Sequence, residues 1–119
     1  AAGFEYDKIG SISATEFTNK LNSNTGEVLL DVRKDSEYLS EHVVDVENFP
    51  LDLINTNFAE IDTNKEYVLH CASGYRSLIA ASIFQANGVK KVTDVRGGFK
   101  DIKDTGAKLT DYVCPTTLL

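Results

Sequence analysis

The sequence predicts an α/β fold: a mainly parallel central sheet flanked by helices on both faces. Three observations carry that prediction. Two apolar runs, VLLDV at 28–32 and YVLHC at 67–71, lack the polar alternation of a half-exposed strand. Such runs suit strands buried on both faces. A third strand pattern, KKVTDV at 90–95, follows later, and segments of helical spacing lie between, as parallel crossovers require.

Each element has its own signal. SATE at 13–16 has the Ser-x-x-Glu form of a capping box, and Phe17 and Leu21 share one face, so a short helix is expected at 14–22. NSNTGE is a turn rich in Asn and Gly. After VLLDV, KDSEYLSEH places Asp35 and Ser36 ahead of Glu37, a short helix start. LDLINTNFAEI at 51–61 sets Leu51, Ile54 and Phe58 at helical spacing. RSLIAASIFQANG at 76–88 has the strongest helical pattern: Ile79, Ile83 and Ala86 repeat, and Gly88 lies just past the end as a stop. KKVTDV leads into RGG, and FKDIKD is a helical turn. The tail DYVCPTTLL fits no one element.

Composition bounds the function. A chain of 119 residues is one domain by size, 1–119. At that length roughly two-thirds of the unfolded surface is buried on folding, so neither disulfide nor metal is needed. A hydrophobic content of 42% with 25% charged residues reads as folded rather than disordered. The net charge of −6 argues against nucleic acid as a partner, since phosphate neutralisation needs a Lys/Arg surplus. No apolar run is long enough to span a bilayer and no signal-peptide pattern is present, so no membrane partner is expected. Methionine is absent, which implies a chain processed or cut from a longer protein and leaves room for a fused or partner domain. The two cysteines, Cys71 and Cys114, are too few for a disulfide framework or a cysteine-paired zinc site. Free thiols in a reducing, cytoplasmic compartment are the simpler expectation. Neither a metal nor a cofactor is expected.

The chemistry concentrates in CASGYRS, 71–77. Cys71 closes a strand, where ligands of parallel sheets gather. A helix starting near Arg76 or Ser77 then aims unpaired N–H groups and the positive end of its dipole at the loop. A thiolate is favoured in such a place. Gly74 permits the φ > 0 that a tight cradle of N–H groups requires. Arg76 adds a fixed positive charge, and Ser77 caps the helix or donates its hydroxyl to the anion. A lone cysteine is more often inert than nucleophilic; the Gly, Arg and Ser at these spacings reverse that balance.

The chain resembles the rhodanese-like sulfurtransferase domains in their single-domain form, over roughly residues 9–110. LLDVR at 29–33 is similar to the signature ending the family's buried strand. EYLSEHVVDVENFP at 37–50 is similar to its next motif, with His42, Asn48 and Pro50 in place. CASGYRS resembles the active-site loop, and DVRGGF at 94–99 the later Gly-Gly motif. The resemblance implies a rhodanese-like fold and a ping-pong sulfurtransferase. Its Cys71 takes sulfane sulfur from a small-molecule donor, thiosulfate or a persulfide, and yields it to a thiol or cyanide acceptor. The N–H groups of Ala72, Ser73, Gly74, Tyr75 and Arg76 then hold the persulfide charge, as in an oxyanion hole. The alternatives are a persulfide-carrying or regulatory module of a larger protein and, less readily, a phosphatase or arsenate reductase. Four residues separate Cys71 from Arg76. The related dual-specificity phosphatases have one more there, which gives a ring fitted to phosphate. Because Arg76 is the loop's only formal charge besides the thiolate, a persulfide or polysulfide donor is preferred to the thiosulfate dianion.

The departures from the family are specific. Glu41 stands where the family has Gly before its His, Asp45 at a small turn position, and Ile102 where a Trp often follows, which implies a different pocket wall. Tyr75 either lines the pocket with its ring or lies on the surface. His70 points away from Cys71 and is expected to pack in the core. His42 is expected to fix a turn by hydrogen bonding. Asp31 and Arg33 are expected to pair or brace the loop, with Asp31 able to orient Arg76. Gly97 and Gly98 serve a close backbone approach or tight turn. Cys114 is expected to have no role; the sharper alternative is a resolving thiol.

Overall fold

A computed structural model describes residues 9–23 and 26–111. The expected turn at 22–27 falls partly on residues 24–25, and the tail from 112, with Cys114, lies outside the described residues. The elements run β1 (Gly10–Ile12), α1 (Ala14–Ser23), β2 (Val28–Asp31), α2 (Asp35–Ser40), β3 (Glu47–Asn48), α3 (Ile54–Asn57), β4 (Glu66–His70), α4 (Tyr75–Ala86), β5 (Lys91–Val95) and α5 (Gly98–Lys103). The sheet is wholly parallel, in the order β1-β5-β4-β2-β3. Leu30 lies opposite Leu69, and Asp31 opposite His70, so the ends of β2 and β4 meet at one edge.

The predicted strands form where expected. β1 and β3 are absent from the sequence prediction because three and two residues carry no readable period. The capping box of α1 forms as read: the Ser13 hydroxyl accepts from Glu16 N–H at 3.1 Å, and Glu16 accepts from Ser13 N–H at 3.1 Å. The helix expected over 51–61 is broken into a 3-10 turn at 51–53, the single turn of α3, and a second 3-10 turn at 58–60. Pro50 enters without an N–H, and the two Asn residues of this stretch are poor helix formers. Its apolar spacing survives as anchoring: Ile54 is buried and Phe58 packs edge-on against Phe84, ring centroids 5.5 Å apart.

Alternation along β4 divides the core. Tyr67, Leu69 and Cys71 join Ala80, Ala81 and Phe84 of α4 on one face. Phe84 there also meets Phe49 and Tyr67 edge to face, at 5.6 and 5.4 Å. On the other face Val68 packs with Phe17 of α1 and Phe99 and Ile102 of α5. Helices therefore cover both faces. Among the described residues no helix is long and apolar enough to cross a membrane.

Candidate functional site

β4 ends at His70, and Cys71 opens the loop into α4. Gly74 takes φ 97°, which allows the chain to fold back. Its N–H donates to the Cys71 Sγ at 3.0 Å. α4 begins at Tyr75, one residue earlier than its pattern predicts, so its N-terminal turn abuts the loop. The sequence reading places the thiol at a strand end facing a helix N-terminus; the structure puts it there, but only 1% exposed.

α5 holds the loop from behind. Phe99 N–H donates to the Cys71 carbonyl at 2.6 Å, and Lys100 N–H to the Ala72 carbonyl at 3.2 Å. With these carbonyls pinned toward α5, trans peptides direct the Ala72 and Ser73 N–H groups away from it. Gly98 makes the approach possible: at φ 59°, a Cβ would lie 2.4 Å from the Cys71 carbonyl oxygen. This is the close backbone approach expected of the RGG segment.

The charged groups sort into two pairs. Arg76 grips Glu37 with both terminal nitrogens, Nη1–Oε1 at 2.7 Å and Nη2–Oε2 at 3.0 Å. Glu37 Oε1 also accepts Lys34 N–H at 3.0 Å, across the first turn of α2. The Arg76 hydrogen bonds hold the Glu37 carboxyl below its usual range, and Glu37 in turn keeps Arg76 more firmly protonated. Asp31 and Arg33 form the second pair: Nε lies 3.1 and 3.0 Å from the two carboxylate oxygens and Nη2 2.8 Å from Oδ2. Arg33 also donates to the Glu41 carbonyl at 2.7 Å and covers the Phe99 ring at 4.1 Å. Asp31 is thus taken by Arg33 and does not orient Arg76; Glu37 does. Asn48 braces this corner, donating to the Asp31 and Arg33 carbonyls at 2.9 and 3.1 Å.

Other expectations are corrected or fixed. Ser77 neither caps α4 nor faces the sulfur: it is buried and donates its hydroxyl to Asp94 Oδ1. Burial raises the Asp94 carboxyl, with the Ser77 bond opposing. The Tyr75 ring lies on the surface, 73% exposed. Ile102 is buried among Phe17, Val43 and Phe99 and walls no pocket at the loop. Asp45 adopts φ 74°, a left-handed conformation that Asp tolerates, so the turn closes without the family's small residue. His42 fixes that turn as expected, its Nδ1 bonded to the Tyr38 carbonyl at 2.7 Å and its ring stacked on Tyr38. His70 is fully buried; its Nδ1 meets the Cys71 carbonyl at 3.2 Å, while Nε2 makes no hydrogen bond and lies 3.7 Å from Asp31 Oδ2. Burial lowers the His70 pKa, with Asp31 and the Cys71 carbonyl opposing and Arg33 assisting.

The model of the rhodanese-like domain matches residues 13–105. The chain belongs to this family. It is 36% identical over 93 residues to the putative sulfur carrier protein YrkF of Bacillus subtilis, a match covering 78% of this chain and 50% of that protein. It is 27% identical over 90 residues to a sulfurtransferase of Allochromatium vinosum, covering 76% and 84%. The structure of a rhodanese-like domain protein from Staphylococcus aureus superposes with a TM-score of 0.75 at 30% identity, covering 84% and 97%. The chain spans about half the length of the first two curated relatives it matches.

Sequence reasoning missed two residues of this rhodanese-like domain. Glu37 is separated from Arg76 by 39 positions, and no local pattern announces the pair. The one available signal was its place three residues after Lys34, where a helix-opening Glu reaches back to backbone. Asp94 was read only as part of a strand. An acidic residue inside an otherwise apolar strand was the clue that it needed a partner.

Proposed function

We propose that this rhodanese-like domain transfers sulfane sulfur through a persulfide on Cys71. The observation that carries the reading is the Gly74 N–H at 3.0 Å from Sγ, in a loop that runs from a strand end into the N-terminus of α4. A backbone donor aimed at sulfur, beside a helix dipole, favours negative charge there. The Cys71 thiolate attacks the outer sulfur of a donor. With thiosulfate the S–S bond breaks and its electron pair leaves with sulfite; with a persulfide R–S–SH it leaves with the thiolate RS⁻. Cys71 then holds one extra sulfur, its charge facing the N–H groups of Ala72 to Arg76. Cyanide attacks that sulfur and departs as thiocyanate, or a thiolate departs as a new persulfide, and the Cys71 thiolate returns. No net oxidant is consumed.

The test is intact mass after incubation with thiosulfate or cysteine persulfide. A gain of one sulfur, removed by cyanide and absent from Cys71→Ser, is the expected result. No gain from either donor ends the reading.

A second reading is a persulfide carrier within a larger protein. The match to a sulfur carrier of which the aligned segment covers only 50% favours it. Stoichiometric loading of Cys71 without repeated turnover is its signature.

A further inference from the structure

We infer that Glu37 sets donor preference: by gripping Arg76 it withholds the loop's cation from a dianionic donor and leaves the site suited to an organic persulfide. This rests on the sulfur-transfer reading above.

Arg76 is the one cation in the 71–77 segment. Both of its terminal nitrogens face the Glu37 carboxylate, so its charge is cancelled where it stands. The second basic group nearby, Arg33, is buried and spent on Asp31. Beside Arg76 opens a pocket of about 170 Å³ lined by Val32, Lys34, Leu51 and Asp52. Lys34 and Asp52 both line it, and Val32 and Leu51 give it apolar walls. Beyond it, Arg96 lies 3.9 Å from Glu16, and Lys100 meets the loop through its backbone N–H. Thiosulfate brings two negative charges, and both remain on the departing sulfite. They find no uncommitted guanidinium at the loop. A persulfide leaves as a thiolate with one charge at the reacting end, and its carbon skeleton fits apolar walls.

The experiment is single-turnover loading of Cys71 in the full chain, with thiosulfate and with cysteine persulfide, at low and high salt. Glu37→Gln frees Arg76 yet keeps an oxygen to accept Lys34 N–H. It is expected to raise thiosulfate loading relative to persulfide loading about tenfold at low salt, with the gain erased at about 1 M salt. The double variant Glu37→Gln/Arg76→Gln is expected to lose the gain. A merely structural Glu37 would shift both donors alike, and that outcome, or a gain surviving in the double variant, overturns the inference. Wild-type protein that loads from both donors while Glu37→Gln leaves their ratio unmoved overturns this inference alone. Wild-type protein that takes sulfur from neither overturns the transfer reading and this with it.

Discussion

His70 and Cys71 follow one another at the end of β4 and meet opposite surroundings. His70 looks onto the face of α1 and α5, between Phe17 and Phe99, with the Asp31–Arg33 pair beside it. Cys71 looks onto the face of α4 and receives a backbone N–H. On the first face the charged groups are buried and committed to each other. On the second, Asp94 is buried against Ser77, while Arg76 and Glu37 pair at the rim, partly exposed. The difference is one of accessibility to chemistry. Buried ions need partners to exist at all, and so hold the frame; rim ions stay in contact with solvent and are adjustable.

The two faces are not independent, because the Cys71 carbonyl faces the α5 side, where Phe99 N–H holds it. Gly98→Ala breaks the comparison most forcibly. Its Cβ would meet backbone at 2.4 Å with φ at 59°, so the clamp and the loop must part. We expect a loss of roughly 2–4 kcal/mol in urea unfolding, together with slower sulfur loading, although the thiol itself is untouched. An unchanged loading rate in a destabilised variant would uncouple the faces.

The next effect isolates the His70 face. Its pKa is lowered in the folded chain from an ordinary 6.5, so below that pH the unfolded chain binds the additional proton. Stability present above pH 6.5 is therefore lost as pH falls toward the depressed folded value. The urea midpoint should drop between pH 7 and 5, and His70→Asn, which does not titrate, should flatten that part of the profile.

The smallest expected effect lies on the Cys71 face, at Asp94. Its carboxyl is raised by burial, so its ionised form costs stability at neutral pH. Asp94→Asn retains an oxygen for the Ser77 hydroxyl and removes that charge. A gain on the order of 1 kcal/mol at pH 7, shrinking as pH approaches 4, is expected from thermal or urea unfolding. A loss instead would mean that the charge, not the hydrogen bond, holds Ser77.

What the sequence revealed follows from the range of each interaction. β2, β4 and β5 were legible because burial on both faces writes continuous apolar runs, and α4 because its apolar spacing repeats over 12 residues. The Gly74 N–H contact with Cys71 was legible because Gly74 and the helix start are its sequence neighbours. Glu37 and Asp94 were not, since their partners come from other elements and only the fold brings them together. Ser77 was misread for the same reason: a hydroxyl in the first turn looks like a cap until a buried carboxylate on β5 claims it. Likewise the depth of Cys71 depends on how α4 and β5 close around it, which no local motif encodes.

The α5 clamp offers a way to watch the loop from a distance in sequence. The amide protons of Phe99 and Lys100 are tied to the carbonyls of residues 71 and 72. Their exchange with deuterated solvent thus reports each opening of the cysteine loop. On the proposed sulfur-transfer reading, a spectroscopist following those two resonances would see loading and unloading of Cys71 as a change in protection, with no label placed on the thiol.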